Sequence, residues 1–294
     1  MADLGGERRG RGRASAGAAR QAPAALSAAF TDSGGNAGLM ADLRTFRDFR
    51  VHGCAAVAGV TAQNPRGVYA VHDVPENVFR AQAEAVLSCF AVKAAKTGML
   101  HSAALVAAAA DVFAQAKIPL VADPVMVATS GAALLEPDAV KALQDRLLPV
   151  AFAVTPNIPE AEILSGMKIR SLQDGVDAAC AIYRRFGCAV LLKGGHARWT
   201  LPREIREAAA AEYGGAPVCA DVFLAAGGEP RFLAGPKTAR PASTHGTGCT
   251  MSAALAAALA KGESLERAAA AAKAYTGAAI ANSYFAGPGA GVLG

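Results

Sequence analysis

From residue 25 onward, short apolar runs alternate with longer stretches whose apolar positions recur at helical spacing. Runs at 25–30, 54–61, 92–96, 118–122, 151–155 and 189–193 predict buried strands. Between them, 39–49, 76–89, 103–116, 139–147 and 172–186 read as helices. Residues 218–224 and 229–233 predict a hairpin turning at Gly227 and Gly228. A helix follows the stretch STHGTGCT (243–250), and another starts near Leu265. Strands that are apolar throughout and separated by helices predict an α/β fold, with a mostly parallel central sheet covered by helices on both faces.

Polar or glycine-bearing tags close strand after strand: DSGGNAG, AQN, TGM, DPVM, TPNIPE and KGGH. In open α/β sheets, ligands bind beyond the carboxyl ends of the strands. The tags therefore belong to one edge, although they are far apart in sequence. This predicts a single small-molecule site.

Composition changes the picture only at the N-terminus. The 294 residues carry a formal charge of +5, and 53% are hydrophobic, enough for a full core. Arg8, Arg9, Arg11, Arg13 and Arg20 supply most of the excess charge. Residues 1–24 thus read as a low-complexity, disordered basic arm, with one folded domain over 25–294. Without the arm the charge is nearly balanced, so no nucleic-acid surface follows from the pI. Six scattered cysteines without a CxxC read as reduced thiols of a cytoplasmic protein. No apolar run approaches the roughly 18 residues of a membrane span. Arginines followed by an apolar piece leave a leader open; against a secretory signal stands the reading of that piece as the first strand, and against an organelle transit peptide stand Asp3 and Glu7.

Each chemical candidate has a plain structural alternative. Gly246 and Gly248 in HGTGCT let the backbone turn tightly ahead of a helix whose first N–H groups favour an anion; the alternative is an ordinary loop capped by Thr247. Lys193, at a strand end, can reach a phosphate or simply face water. Asn157 and Glu160 offer oxygens suited to hydrated Mg²⁺, while Asn157 also suits a helix N-cap. Asp123 can orient metal or phosphate, or cap the turn before Pro124. Gln63 can match a ring nitrogen beside an amino group, and Met99 can supply an adaptable apolar wall. Asp42 can join them or be a solvated helix carboxylate. The sequence has no GxxxxGK[ST], and GAGVLG (289–294) ends the chain with no helix behind it, so neither nucleotide fingerprint applies.

Taken together, ADLRTF (41–46), VTAQNPRGV (60–68), KTGML (96–100), DPVMVATSGAALL (123–135), VTPNIPEAE (154–162), LLKGGH (191–196) and the stretch 243–262 resemble the hydroxymethylpyrimidine/phosphomethylpyrimidine kinases of thiamine biosynthesis. The resemblance covers about 25–281 and implies a ribokinase-like three-layer sandwich. It implies ATP and Mg²⁺ as cofactors, a small pyrimidine substrate phosphorylated twice, and a homodimer. Asp42, Gln63, Met99 and Val125 would contact the pyrimidine. Lys193 and the turn of Gly246, Thr247 and Gly248 would meet ATP phosphates, and Asp123, Asn157 and Glu160 the Mg²⁺–phosphate region. Cys249 would stand where related sugar kinases place an aspartate base, and its place at a helix N-terminus predicts a lowered thiol pKa.

Three departures from the family pattern stand out. Phe30 replaces a substrate-adjacent glycine, so its ring would narrow the pocket or stack on the substrate. Thr129 and Ala242 replace lysines. A pyridoxal or pyridoxine kinase, or a ligand-binding relative with impaired catalysis, are the alternative readings.

Overall fold

The computed structural model describes residues 22–126, 134–195, 197, 199–225 and 227–294. The expected basic arm lies outside the described residues up to residue 21, and Ala24 already belongs to the first strand. Thr129 and His196 lie outside them as well.

Nine strands form one sheet. In chain order they are β1 (Ala24–Phe30), β2 (His52–Asn64), β3 (Gly67–Asp73), β4 (Val92–Thr97), β5 (Leu120–Ala122), β6 (Ala153–Val154), β7 (Ala189–Leu192), β8 (Val218–Leu224) and β9 (Arg231–Pro236). Their spatial order is β3-β2-β1-β4-β5-β6-β7-β8-β9. The six strands from β2 to β7 pair in parallel. Hairpins add antiparallel edges, β3 on one side and β8–β9 on the other. The strand β3 escapes a hydrophobic-run reading because both of its faces are largely exposed.

Helices cover both faces, as the alternation requires. One apolar layer joins alternate strand residues such as Leu26, Ala28 and Phe30 to α2 (Glu76–Cys89), α3 (Ala103–Ala116) and α6 (Leu172–Phe186). On the other face, Ala25, Ala94, Val121, Ala153 and Leu191 pack on α1 (Gly38–Asp48), α8 (Thr247–Ala260) and α9 (Leu265–Ala281). Small alanines let α8 come close: its residues from Thr250 to Ala260 are all buried. The expected helix over 139–147 is α4 (Pro137–Ala142) followed by a wider π turn, Leu143–Leu147. Two short helices were not expected: α5 (Ile158–Ser165), only eight residues long, and α7 (Arg203–Tyr213), whose residues are mostly exposed. A final pair, β10 (Tyr284–Phe285) and β11 (Gly291–Val292), holds GAGVLG in a small hairpin rather than at a helix start.

Candidate active site

The parallel strands all end on the same edge, and α8 begins there. Its N-cap is Gly246, with φ of 84°, a left-handed conformation that glycine adopts without strain. A side chain at Gly246 would also run into the carbonyl of Asn36, so the turn is pressed against the loop that follows β1. The Thr247 hydroxyl donates back to the Thr244 carbonyl at 3.0 Å, so it braces the turn instead of capping the helix. The first helical N–H groups are left without acceptors of their own helix.

Directly beside that opening lie Lys193 and Asp123. The Lys193 ammonium donates to Asp123 Oδ1 at 3.0 Å, and a Cβ built on Gly248 would sit 3.3 Å from Lys193 Nζ and 3.7 Å from Asp123 Oδ2. Ser252, one turn into α8, donates its hydroxyl to Asp123 Oδ2 at 3.1 Å, and Thr155 donates to Oδ1 at 3.2 Å. Burial works against both charges. The two lysines Lys193 and Lys96 nonetheless hold the Asp123 carboxyl below its ordinary range, and Asp123 and Glu160 hold the Lys193 ammonium above its own. Lys193 is thus a fixed cation, aimed by a carboxylate at the place where the helix N-terminus opens.

Asn157 and Glu160 form a capping box. Asn157 Oδ1 accepts from Glu160 N at 2.9 Å, and Glu160 Oε2 accepts from Asn157 N at 2.8 Å. The helix-cap alternative therefore holds for Asn157. Burial outweighs the nearby Lys193 and pushes the Glu160 carboxyl up to about 7. Asp123 and Asn157 already bond protein groups. The donor chemistry here suits Mg²⁺ carried with its waters on a nucleotide, not an ion stripped into a protein cage.

Two expectations need correction. Asp42 is neither solvated nor open to a substrate. It is fully buried, with Lys96 donating to its two oxygens at 3.0 and 2.8 Å and Ser27 at 2.6 Å. Burial opposes the Lys96 charge, but the Asp42 carboxylate holds the ammonium well above its ordinary range. The sequence does not single out Lys96, because a lysine closing an apolar run reads as an exposed strand residue; only its position next to TGM marks it. The second correction concerns Cys249. Burial pushes its thiol up to about 11, outweighing the pull of Lys96. It is a thiol here, not a thiolate.

At the other end of the edge stands Gln63, on the part of β2 that runs past the sheet. Its Nε2 lies 3.2 Å from His245 Nε2, and its Oε1 accepts from the Thr61 hydroxyl at 3.3 Å. The rest of its amide's donor and acceptor capacity remains for a ligand. Met99 and Val125 are half-buried just past β4 and β5. His245 joins Gln63 to Asp32, whose Oδ2 is 3.7 Å away. Asp32 is buried, but His245 and the N–H groups of Gly34, Ala37 and Asn36 outweigh that and lower its pKa. The signal for Asp32 lay in DSGG, an aspartate turning its own backbone. Phe30 is only 2% exposed; its ring lies over Gly59 and edge-on to His101, within the α2–α3 layer. The expected stacking face is thus turned into the core. Ala242 donates its N–H to Ser283 Oγ at 2.9 Å and brings no cation to the site.

Comparison with known proteins fits this edge. The family model described as phosphomethylpyrimidine kinase matches residues 32–294. A hydroxymethylpyrimidine/phosphomethylpyrimidine kinase of Rhizobium meliloti is 46% identical over 87% of this chain and 90% of its own length. Among solved structures, a Bacillus subtilis pyridoxal kinase in complex with ADP superposes with a TM-score of 0.79 and 31% identity, covering 93% of this chain and 97% of that one. A phosphomethylpyrimidine kinase from Clostridium difficile gives 0.71 and 31%, over 87% and 98%. The expected fold and kinase class are borne out.

Proposed function

The chain belongs to the phosphomethylpyrimidine kinase family, and on that premise we propose that it moves a phosphoryl group from ATP to the hydroxymethyl oxygen of 4-amino-5-hydroxymethyl-2-methylpyrimidine, and a second one to the resulting monophosphate. The observation that carries this reading is the convergence of a glycine-opened helix N-terminus, Lys193 with its partner Asp123, and Cys249 on one strand edge that also bears Gln63.

Phosphoryl transfer depends on in-line positioning and charge neutralisation more than on covalent help. The N–H groups of Thr247, Gly248 and Cys249 face the transferring oxygens, and Lys193 meets the phosphates from below. Asp123, Asn157 and Glu160 would hold the water shell of a nucleotide-bound Mg²⁺, which would neutralise phosphate charge. Gln63 reads the ring edge, while Met99 and Val125 pack on its faces. Burial holds Cys249 as the neutral thiol near neutral pH. Its role is therefore to hold the substrate hydroxyl in line, while the hydroxyl proton leaves to a phosphate oxygen or to water as the new O–P bond forms. The reading includes a cytoplasmic homodimer; free cysteines and the apolar edge residues Tyr69 and Val71 support it. Among the described residues no helix is long and apolar enough to cross a membrane.

Cys249→Ser tests the role directly. Turnover should fall while ATP affinity is kept; unchanged turnover rules out a positioning role for the thiol. The likeness to pyridoxal kinases favours pyridoxal as a second substrate class. Ligand-induced stabilisation without ATP consumption marks the impaired-relative alternative.

A further inference from the structure

The hairpin that carries Gln63 is anchored at its base by an unusual set of residues. β1 and β2 run in register until Ala29, where a bulge brings Phe30 opposite Gly59. A side chain on Gly59 would overlap the Phe30 ring and approach the His72 carbonyl within 2.6 Å, so the ring occupies the space that Gly59 leaves open. His101 stands edge-on to that ring, with centroids 5.9 Å apart and planes at 63°. It lies two residues beyond Met99 and has φ of 56°, a left-handed conformation rare outside glycine and asparagine. Its Nδ1 is 2.7 Å from Asp73 Oδ1, and Asp73 pairs with Gly59 across the hairpin. Its carbonyl accepts from Glu136 N at 3.1 Å.

The pair Asp73–His101 therefore crosses the end of β1 as a strap, from the edge strand β3 to the loop that holds Met99, with the Phe30 ring beneath it. Gln63 lies four residues beyond Gly59, about 13 Å along an extended strand. At Gln63 the Ser33 hydroxyl accepts from the N–H and donates to the carbonyl, both at 2.8 Å, so the base sets the direction of the hairpin and Ser33 holds its end. Nothing in the phosphate end needs this strap: Lys193, Asp123 and Ser252 are tied to one another.

We infer that Phe30, Gly59, His101 and Asp73 form one brace that fixes the Gln63 hairpin against the Met99 loop, and that His101 and Asp73 are positioning residues for the heteroaromatic substrate and not for ATP. This rests on the reading of Gln63 and Met99 as ring contacts.

The test is steady-state kinetics on Asp73→Ala, Asp73→Asn, His101→Ala and the Asp73→Ala/His101→Ala double variant, with each substrate varied in turn. Asp73 is part-exposed on an edge strand, so its variants retain the fold even where a substitution at the left-handed His101 does not. The KM for the hydroxymethylpyrimidine should rise five- to twentyfold in Asp73→Ala, with the KM for ATP within twofold of wild type. Asp73→Asn, which still accepts a hydrogen bond, should restore most of it, and the double variant should be no worse than either single one. An unchanged pyrimidine KM in Asp73→Ala, or an equal rise for ATP, overturns the brace. If wild type turns over pyridoxal and not the pyrimidine, the proposed substrate is wrong. The same split measured with pyridoxal then decides the brace by itself.

Discussion

The two ends of the active-site edge are built on different principles. The phosphate end is made of buried ions locked in pairs: Lys193 with Asp123, and behind them Lys96 with Asp42. The ring end is a projecting hairpin with exposed outer residues Val60, Tyr69 and Val71; it is packed on Phe30 at its base and held by Ser33 and His245 at Gln63. Transferring a phosphoryl group demands a fixed electrostatic frame whatever the acceptor, while acceptor choice can drift through a movable wall. Of the departures from the family pattern, Phe30 lies at the ring end over its hollow at Gly59, while Ala242 precedes a glycine turn that, with Lys193 and Asp123, keeps the expected pattern.

The largest effect should come from Lys96→Met. It leaves Asp42 charged and unpaired in the interior, which costs about 3–5 kcal/mol. Thermal melts should show the loss, and adding Asp42→Asn should recover a good part of it. A melt close to wild type for the single variant contradicts the buried pair. Next, Lys193→Ala removes a preorganised cation. By analogy with the loss of a single transition-state donor, kcat should fall about a hundred- to a thousandfold. Pyrimidine binding, measured by calorimetry, should stay, and its collapse would mean that the two ends are not separable.

Much of the frame was legible because strand-end tags carry chemistry in their residue types. A glycine turn before a small-residue helix, and a lysine ending an apolar strand, announce an anion site by themselves. Asp42 was misread because ADLRTF shows a helix but not what the helix faces; its partner Lys96 is 54 residues away. Cys249 was misjudged because a helix N-terminus is visible in sequence whereas desolvation is not. The strand β3 and the turn of Phe30 into the core depend on a bulge between Ala29 and Phe30, for which no local pattern exists.

Gly59→Ala probes the ring end alone. Overpacking against Phe30 should cost about 1–3 kcal/mol in urea unfolding, and Phe30→Leu in the same chain should relieve part of it. Additive effects would show that the two residues do not share one space. The smallest effect concerns Glu160. Its folded-state pKa of about 7 lies above the ordinary 4.5, so the folded chain holds the extra proton between those values. Stability from this group therefore falls as pH rises from about 4.5 through 7. Glu160→Gln should become progressively more stable relative to wild type over that range in pH-dependent melts. The opposite trend, or none, would mean that Glu160 is ionised in the fold.

The central claim, a phosphate frame serving a hydroxymethylpyrimidine, is tested most directly by one substrate panel. Purified protein with ATP and Mg²⁺ is offered the hydroxymethylpyrimidine, its monophosphate and pyridoxal, and the products are identified by mass. The account predicts that the first two are converted to monophosphate and diphosphate, each faster than pyridoxal. Pyridoxal phosphate as the main product, or no ATP consumption with any of the three, would contradict it.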